Sequence, residues 1–265
     1  MADAKVVLIT GANSGIGYQV VKALYSAEKP YTVLVGARSE AKAQETITKI
    51  QAEFPSSSNK LSPLVVDVES DELIEKAYDT MKGQFGRLDA LINNAGASFD
   101  QAVMRGELSA RDAWNKSWNV NVSGAQALTS TFVPLLLASS DPRIIFVTSG
   151  GSTLAGTEKR TIAIDQPPQA GWPKTAFGVA AYRSAKTGLN MMMREWERIL
   201  KNDGVKVWAI SPGLLATNLG GDPELLKKIG AADPAVAGPL FRGVLEGHRD
   251  GEVGKVVNKD GVQPW

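Results

Sequence analysis

The chain has 265 residues and 43% hydrophobic content, enough to fill one α/β core or at most two small ones. Its net charge is +1 and the charges are dispersed, which gives no basic patch for nucleic acid and no polybasic membrane segment. Cysteine is absent, so disulfides, thiolate catalysis and Cys-based zinc sites are excluded, and the single histidine, His248, argues against a His-based metal site or a Ser–His–Asp triad.

Strand and helix patterns alternate throughout, which predicts a parallel sheet covered by helices. The run Lys5-Val-Val-Leu-Ile-Thr10 reads as a strand buried on both faces and stopped by glycine. Ile16, Val20, Val21 and Leu24 then recur at helical spacing. Residues 31–36 form a second strand. Ser39 opens a helix with Ala43, Ile47, Ile50 and Phe54 on one face, and residues 55–60 make a polar loop before a third strand at 61–66. Residues 70–85 are helical with Leu73, Ile74, Ala77, Tyr78, Met81 and Phe85 inward, and 88–93 is a fourth strand. Residues 110–138 read as two consecutive helices broken near 121–124, followed by a fifth strand at 143–148.

A long irregular stretch, 149–178, carries Pro167, Pro168 and Pro173. A helix over 182–201 and a sixth strand over 205–211 follow. Residues 213–233 form a loop with a short helical piece. Asp233-Pro234 reads as an N-cap with proline at the first helical position, opening a helix to about His248, and 252–258 makes a short last strand. No repeat and no linker divides the chain. No apolar stretch approaches a membrane span, and Met1-Ala-Asp-Ala-Lys5 leads straight into the first strand without a signal-peptide pattern, so a cytoplasmic protein is expected.

The glycine turn after the first strand is Thr10-Gly11-Ala12-Asn13-Ser14-Gly15-Ile16-Gly17. It joins a buried strand to a helix N-terminus, where unpaired N–H groups and the positive dipole end suit a phosphate. Gly11 permits the tight turn, Gly15 lets backbone approach the ligand and Gly17 lets the helix pack on the sheet. The spacing, Gly-x-x-x-Gly-x-Gly, resembles the cofactor motif of the short-chain dehydrogenases/reductases. Four further stretches resemble that family in order. They are Asp67-Val68, Asn93-Asn94-Ala95-Gly96, Tyr182-Arg-Ser-Ala-Lys186, and Ser211-Pro212-Gly213 with Thr217. The resemblance covers residue 5 to about 261. It implies a single Rossmann-type domain over 1–265, a doubly wound parallel sheet of about seven strands with helices on both faces. It also implies that Asn13, Ser14, Ile16, Asn94, Ala95, Gly96, Pro212, Gly213 and Thr217 line a dinucleotide, and that Asp67-Val68 holds its adenine.

About 20 positions after the glycine motif, dinucleotide folds place an acid on the ribose 2′-hydroxyl. Here that position is Ala37, followed by Arg38, so a guanidinium stands where a carboxylate would bind NAD(H). Arg matches a phosphate in charge and fork geometry, and the cofactor expected is NADP(H), with no metal.

The catalytic set that the resemblance implies is Asn121, Ser149, Tyr182 and Lys186. Four residues apart on a helix, Tyr182 and Lys186 share a face, and a nearby ammonium, with the nicotinamide's charge in the oxidised state, would bring a phenol of pKa about 10 toward the working range. The spacing alone is not diagnostic, since Tyr18/Lys22, Tyr25/Lys29 and Tyr78/Lys82 share it. Only Tyr182 begins a helix after a serine-bearing strand end. In the family the serine polarises the substrate carbonyl and the asparagine holds a relay water. Ser152 competes with Ser149, and Asn119 with Asn121.

Thirty-three positions separate Ser149 from Tyr182, against about a dozen in most of the family. The longer form resembles the monomeric carbonyl reductases. The insertion, about 154–177 with Trp172 and Phe177, is expected to wall the substrate, to cover Met192 and Trp196 of the following helix, and so to favour a monomer. The expected activity is NADPH-dependent reduction of a ketone or aldehyde. The substrate would be largely apolar, facing Trp172, Phe177, Leu214, Leu215 and Leu219, with 213–233 as a substrate loop. A non-catalytic nucleotide sensor and an isomerase or dehydratase are the alternatives.

Overall fold

The computed structural model describes residues 4–174 and 178–265. The chain runs β1 (Lys5–Ile9), α1 (Gly15–Tyr25), β2 (Tyr31–Ala37), α2 (Glu40–Glu53), β3 (Lys60–Val65), α3 (Asp71–Phe85) and β4 (Ala90–Asn93). It continues through α4 (Asp100–Met104), α5 (Ala110–Trp118), a π-helical turn (Asn119–Ser123), α6 (Gly124–Leu136) and β5 (Arg143–Val147). The last part holds α7 (Leu154–Glu158), α8 (Ala180–Leu200), β6 (Lys206–Ile210), α9 (Pro223–Lys228), α10 (Ala237–Leu245), β7 (Val256–Asn258) and β8 (Gly261–Gln263).

One sheet of eight strands is ordered β3-β2-β1-β4-β5-β6-β7-β8. All pairs are parallel except β7 with β8. Strand order reverses between β1 and β4, the switch point where open α/β sheets bind ligands at the strands' carboxyl ends. The expected doubly wound sheet is present, with one strand more than about seven. The addition is β8, three residues long and antiparallel, too short to show a period of its own.

Because side chains alternate along a strand, Leu8, Leu91, Ile144 and Phe146 enter one core and Val7, Ile9, Ile92 and Ile145 the other. The first core packs under α3, α6 and α8 through Ile74, Met81, Phe132, Leu189 and Met193. The second lies under α1, α2 and α10 through Val21, Leu24, Ile50, Phe241 and Val244. Trp208 is fully buried in it.

Three expected boundaries move. The break near 121–124 is a π turn that keeps the chain helical from Ala110 to Leu136. It lets Gly124 meet the loop after β3 so closely that a Cβ there would lie 2.3 Å from the Val68 carbonyl oxygen. Asp233 caps Ala235, but α10 ends at Leu245 rather than near His248. The last parallel strand is only Val256–Asn258, because a 3₁₀ turn occupies Asp250–Glu252.

Candidate active site

The glycine turn lies at the carboxyl end of β1 and is tied to the end of β4. The Thr10 hydroxyl accepts from the amides of Asn94 (3.1 Å) and Ala95 (3.0 Å). Asn94 Nδ2 donates back to the carbonyls of Thr10 (2.8 Å) and Gly11 (3.2 Å). Gly11 and Gly15 both have positive φ. A Cβ on Gly17 would lie 2.5 Å from Asn94 Nδ2, so the third glycine makes room for the Asn94 clamp as well as for helix packing. At the start of α1, Ser14 forms no side-chain cap, and the first turn has no acidic residue. No hydrogen bond within the described residues engages the N–H of Gly15, Ile16 or Gly17. Unpaired donors at a positive helix end fit the phosphates of a dinucleotide.

The other expected contacts border this seat. Arg38 is exposed just past β2, after buried Ala37, and no hydrogen bond or ion pair among the described residues occupies its guanidinium. Asp67 follows β3, its carboxylate accepting from the Glu69 amide (3.1 Å), and Val68 packs on the core. Gly213 follows β6 with positive φ, and Thr217 reaches back until its methyl is 3.5 Å from where a Gly15 Cβ would stand. Ile16 packs partly on the second core, and Asn13 is half-buried in the turn.

Around the ends of β4 and β5 the structure brings together all four expected catalytic side chains. Ser149 caps the turn after β5, its hydroxyl accepting from the Gly151 amide (3.1 Å). Tyr182 on α8 stands beside it, and the Ser149 hydroxyl favours the phenolate form. One turn on, Lys186 is buried, donates to the Val147 carbonyl (2.8 Å) and holds its ammonium 5.7 Å from the centre of the Tyr182 ring. A Cβ on Gly96 would lie 2.8 Å from Asn121 Oδ1 and 3.4 Å from Lys186 Nζ, so both groups crowd the loop after β4.

A family model described as short chain dehydrogenase matches residues 5–160 and 169–224. The short-chain dehydrogenase/reductase eupG of Phoma sp is 44% identical over 270 residues, covering 98% of this chain and 97% of that protein. The short-chain dehydrogenase/reductase tropE of Talaromyces stipitatus is also 44% identical, covering 100% of this chain and 99% of that one. This chain belongs to the short-chain dehydrogenase/reductase family. Among solved structures, NADPH-bound carbonyl reductase from chicken fatty liver superposes with a TM-score of 0.79 at 23% identity, covering all of both chains. An actinorhodin polyketide ketoreductase with NADPH gives 0.76 at 21% identity, covering 98% of this chain and 97% of its own. Both show the shared fold.

Within this short-chain dehydrogenase/reductase the competing residues separate by environment. Asn119 is exposed and donates to Glu69, whereas Asn121 is buried. Ser152 is buried too, donating to the Ser149 carbonyl (2.6 Å) and accepting from Asn190 (2.9 Å) and Gln263 (3.3 Å). Ser152 therefore supports Ser149 from beneath, and Ser149 is the half-buried member. The other tyrosine–lysine pairs lie elsewhere. Tyr18 bonds Glu53, which also pairs with Lys22, and Tyr78 stands edge-on to Phe132 with Lys82 over its ring.

Several expectations need correction. Within the chain itself, burial pushes the Tyr182 phenol up to about 12, and only the neighbouring Ser149 hydroxyl works the other way. Lys186 faces the ring rather than the hydroxyl, and its own burial brings it down to about 7. The Asn121 amide is committed inside the protein. Nδ2 donates to the carbonyls of Ala97 (2.7 Å) and Ser117 (2.7 Å), and Oδ1 accepts from the Ala97 amide (3.3 Å). Its side chain pins the loop after β4. Trp196 is buried against α6, donating to Gln126 (2.8 Å), and Met192 packs on the same core, so the insertion is not what covers them. Leu215 joins the second core, while Leu214 and Leu219 stay outward. Trp172 is 86% exposed, and Phe177 lies outside the described residues. The insertion contains α7 and is tied to the catalytic helix by Arg183, which bonds Asp165 (2.7 Å) and the Gly151 carbonyl (2.9 Å). A cavity of about 270 Å³ between α7 and α8 takes in Arg183, Ser184 and Thr187, not Tyr182 or Ser149.

Asp100, Asn190 and Gln263 escaped sequence reasoning. Each acts across more than thirty positions, and none sits in a pattern of local period.

Proposed function

We propose that this protein reduces a ketone or aldehyde to an alcohol with NADPH. The observation that carries the reading is Tyr182 placed beside Ser149 and Lys186 at the ends of β4 and β5, with the open N-terminus of α1 on the same edge of the sheet. Bound dinucleotide would supply the hydride to the carbonyl carbon. Gly15, Ile16 and Gly17 would hold its pyrophosphate with backbone amides, Arg38 its 2′-phosphate, and Asp67-Val68 its adenine. The loop 94–96, Pro212, Gly213 and Thr217 would flank the nicotinamide end. Ser149 donates a hydrogen bond to the substrate oxygen and holds it in place. Tyr182 donates the phenolic proton to that oxygen as the carbon is reduced. A phenol raised to about 12 remains protonated at neutral pH, as a proton donor must be. Lys186 would bind the nicotinamide ribose.

Segments 154–177 and 213–233 would border the substrate, whose apolar character is supported by outward Leu214, Leu219 and Trp172. The names of structural neighbours, a carbonyl reductase and a polyketide ketoreductase, support a ketone of moderate size. The absence of cysteine suits a cytoplasmic setting.

The test is oxidation of NADPH and of NADH against aromatic, aliphatic and polyketide-like ketones. Turnover preferring NADPH is the expected result. Tight dinucleotide binding without turnover would mean a sensor, and solvent-isotope incorporation without net cofactor oxidation would mean an isomerase or dehydratase.

A further inference from the structure

Helix α8 is 21 residues long and carries Tyr182 in its first turn, yet it has no cap of its own. Val179 at the N-cap position offers no acceptor, and the preceding Gly178 offers none either. The missing acceptor comes from α4. Asp100 Oδ1 accepts from the Ala181 amide (2.9 Å), and Oδ2 accepts from the amide of Tyr182 itself (3.1 Å). The Ser98 hydroxyl donates a third bond to Oδ2 (3.3 Å).

Asp100 is only 9% exposed, and no described Lys or Arg pairs with it. A buried carboxylate needs compensation, and here the helix end supplies it through two N–H groups and the positive pole of the dipole. The dependence is mutual: the helix end holds the carboxylate, and the carboxylate fixes the helix end.

Asp100 also follows Gly96 by four positions. The stretch from Asn94 to Asp100 is held at three points. Thr10 accepts from Asn94 and Ala95, Asn121 clamps Ala97, and Asp100 closes on α8. The backbone of Tyr182 is thus bonded to the same short loop that borders the dinucleotide seat.

We infer that Asp100 is a positioning residue that sets Tyr182 relative to the cofactor loop, an inference that rests on the proposed role of Tyr182 as proton donor. It touches neither substrate nor reacting atoms. A proton donor displaced by about 1 Å loses on the order of 100-fold in rate, so the effect falls on turnover rather than on binding.

The experiment compares wild type, Asp100→Ala, Asp100→Asn and Ser109→Ala. Ser109 is an ordinary local cap, accepting from the Asp112 amide at the start of α5 (3.1 Å), and it reports what losing a cap does by itself. Asp100→Ala should lower kcat by about 100-fold, with KM for the ketone and Kd for NADPH within about threefold of wild type. The nearly isosteric Asp100→Asn keeps one acceptor oxygen and should recover about tenfold of that loss. Ser109→Ala should lower Tm and leave kcat alone. Amide exchange needs no turnover: Asp100→Ala should speed exchange of the Ala181 and Tyr182 amides by at least about tenfold, with the middle of α8 unchanged.

The inference is overturned by any of three results. One is kcat of Asp100→Ala within about threefold of wild type, and another is an equal kcat loss in Ser109→Ala. The third is unchanged exchange at Ala181 and Tyr182. Should Asp100→Ala not fold, Asp100→Asn decides: intermediate kcat with unchanged NADPH affinity supports positioning, and wild-type kcat refutes it. Should wild type reduce no ketone, the proposed activity fails separately, and amide exchange alone decides whether Asp100 holds the helix end.

Discussion

Helices α1 and α8 both begin at the ligand edge of the sheet, and their N-termini are finished in opposite ways. At α1 the cap residue makes no side-chain bond, no acid occupies the first turn, and the amides of Gly15, Ile16 and Gly17 stay unpaired within the described residues. At α8 a buried carboxylate from α4 fills the equivalent position and bonds the Tyr182 amide. The same orphan donors are left for a ligand in one case and satisfied internally in the other. An open end can receive an anion but holds nothing still. A closed end receives nothing, and it can carry a side chain whose position must not vary.

The largest effect expected from this contrast lies at the closed end. Tyr182→Phe should lower ketone turnover by about 10²–10⁴-fold and leave NADPH affinity nearly unchanged, as followed by absorbance of the reduced nicotinamide and by a binding titration. Tyr78→Phe serves as the control, since Tyr78 packs against Phe132 in the core. Turnover lost in Tyr78→Phe and kept in Tyr182→Phe would reverse the assignment.

Converting the open end into a closed one is the next test. Ser14→Asp places a carboxylate at the N-cap of α1, much as Asp100 does for α8. NADPH affinity should fall by more than about tenfold, while stability rises by about 0.5–1 kcal/mol. Unchanged affinity in calorimetry would mean that α1 is not the anion seat. Farther from the helix end, Ala37→Asp with Arg38→Ile should shift the NADPH/NADH preference by about tenfold, through loss of charge-assisted bonds to the 2′-phosphate. Equal affinity of wild type for the two cofactors would remove the premise.

The smallest effect concerns Lys186, one turn into the closed helix. Burial brings its ammonium down to about 7, well below the ordinary lysine value of about 10.4. Between those values the unfolded chain binds a proton that the folded chain does not, so this group makes stability rise with pH across that window, and the full penalty applies below it. Lys186→Met removes the dependence. Its Tm relative to wild type should be highest near pH 6 and should lose a few degrees of that advantage by about pH 9.5. Tyr182, raised from its ordinary value near 10, contributes to the pH dependence only above this window. A Tm difference independent of pH would show that Lys186 is not held in this environment.

Much of the site was legible because its signals are local. A strand of period two, a glycine turn and a helix of period 3.6 are short-range geometries, so residues 5–25 announce a phosphate seat without any partner in view. The motif order then located Asn121, Ser149, Tyr182 and Lys186, and the fold gathers them at one edge. Spacing could not choose among four tyrosine–lysine pairs. The choice depends on which helix faces the ends of β4 and β5, and that is a matter of topology. The region after β5 was least legible, since α7 and β8 are too short for periodicity to show.

What the sequence by itself determined is the alternation of strands and helices, the open N-terminus of α1, and the residue types available for cofactor and proton chemistry. Each follows from forces acting within a few residues. Only the tertiary structure decided how those groups behave. Burial raises the Tyr182 phenol, the Val147 carbonyl draws in the Lys186 ammonium, and Ala97 and Ser117 take up the Asn121 amide. Asp100 closes α8 from 81 positions away. These outcomes depend on desolvation and on contacts between distant segments, and both exist only once β4, β5 and α8 have come together.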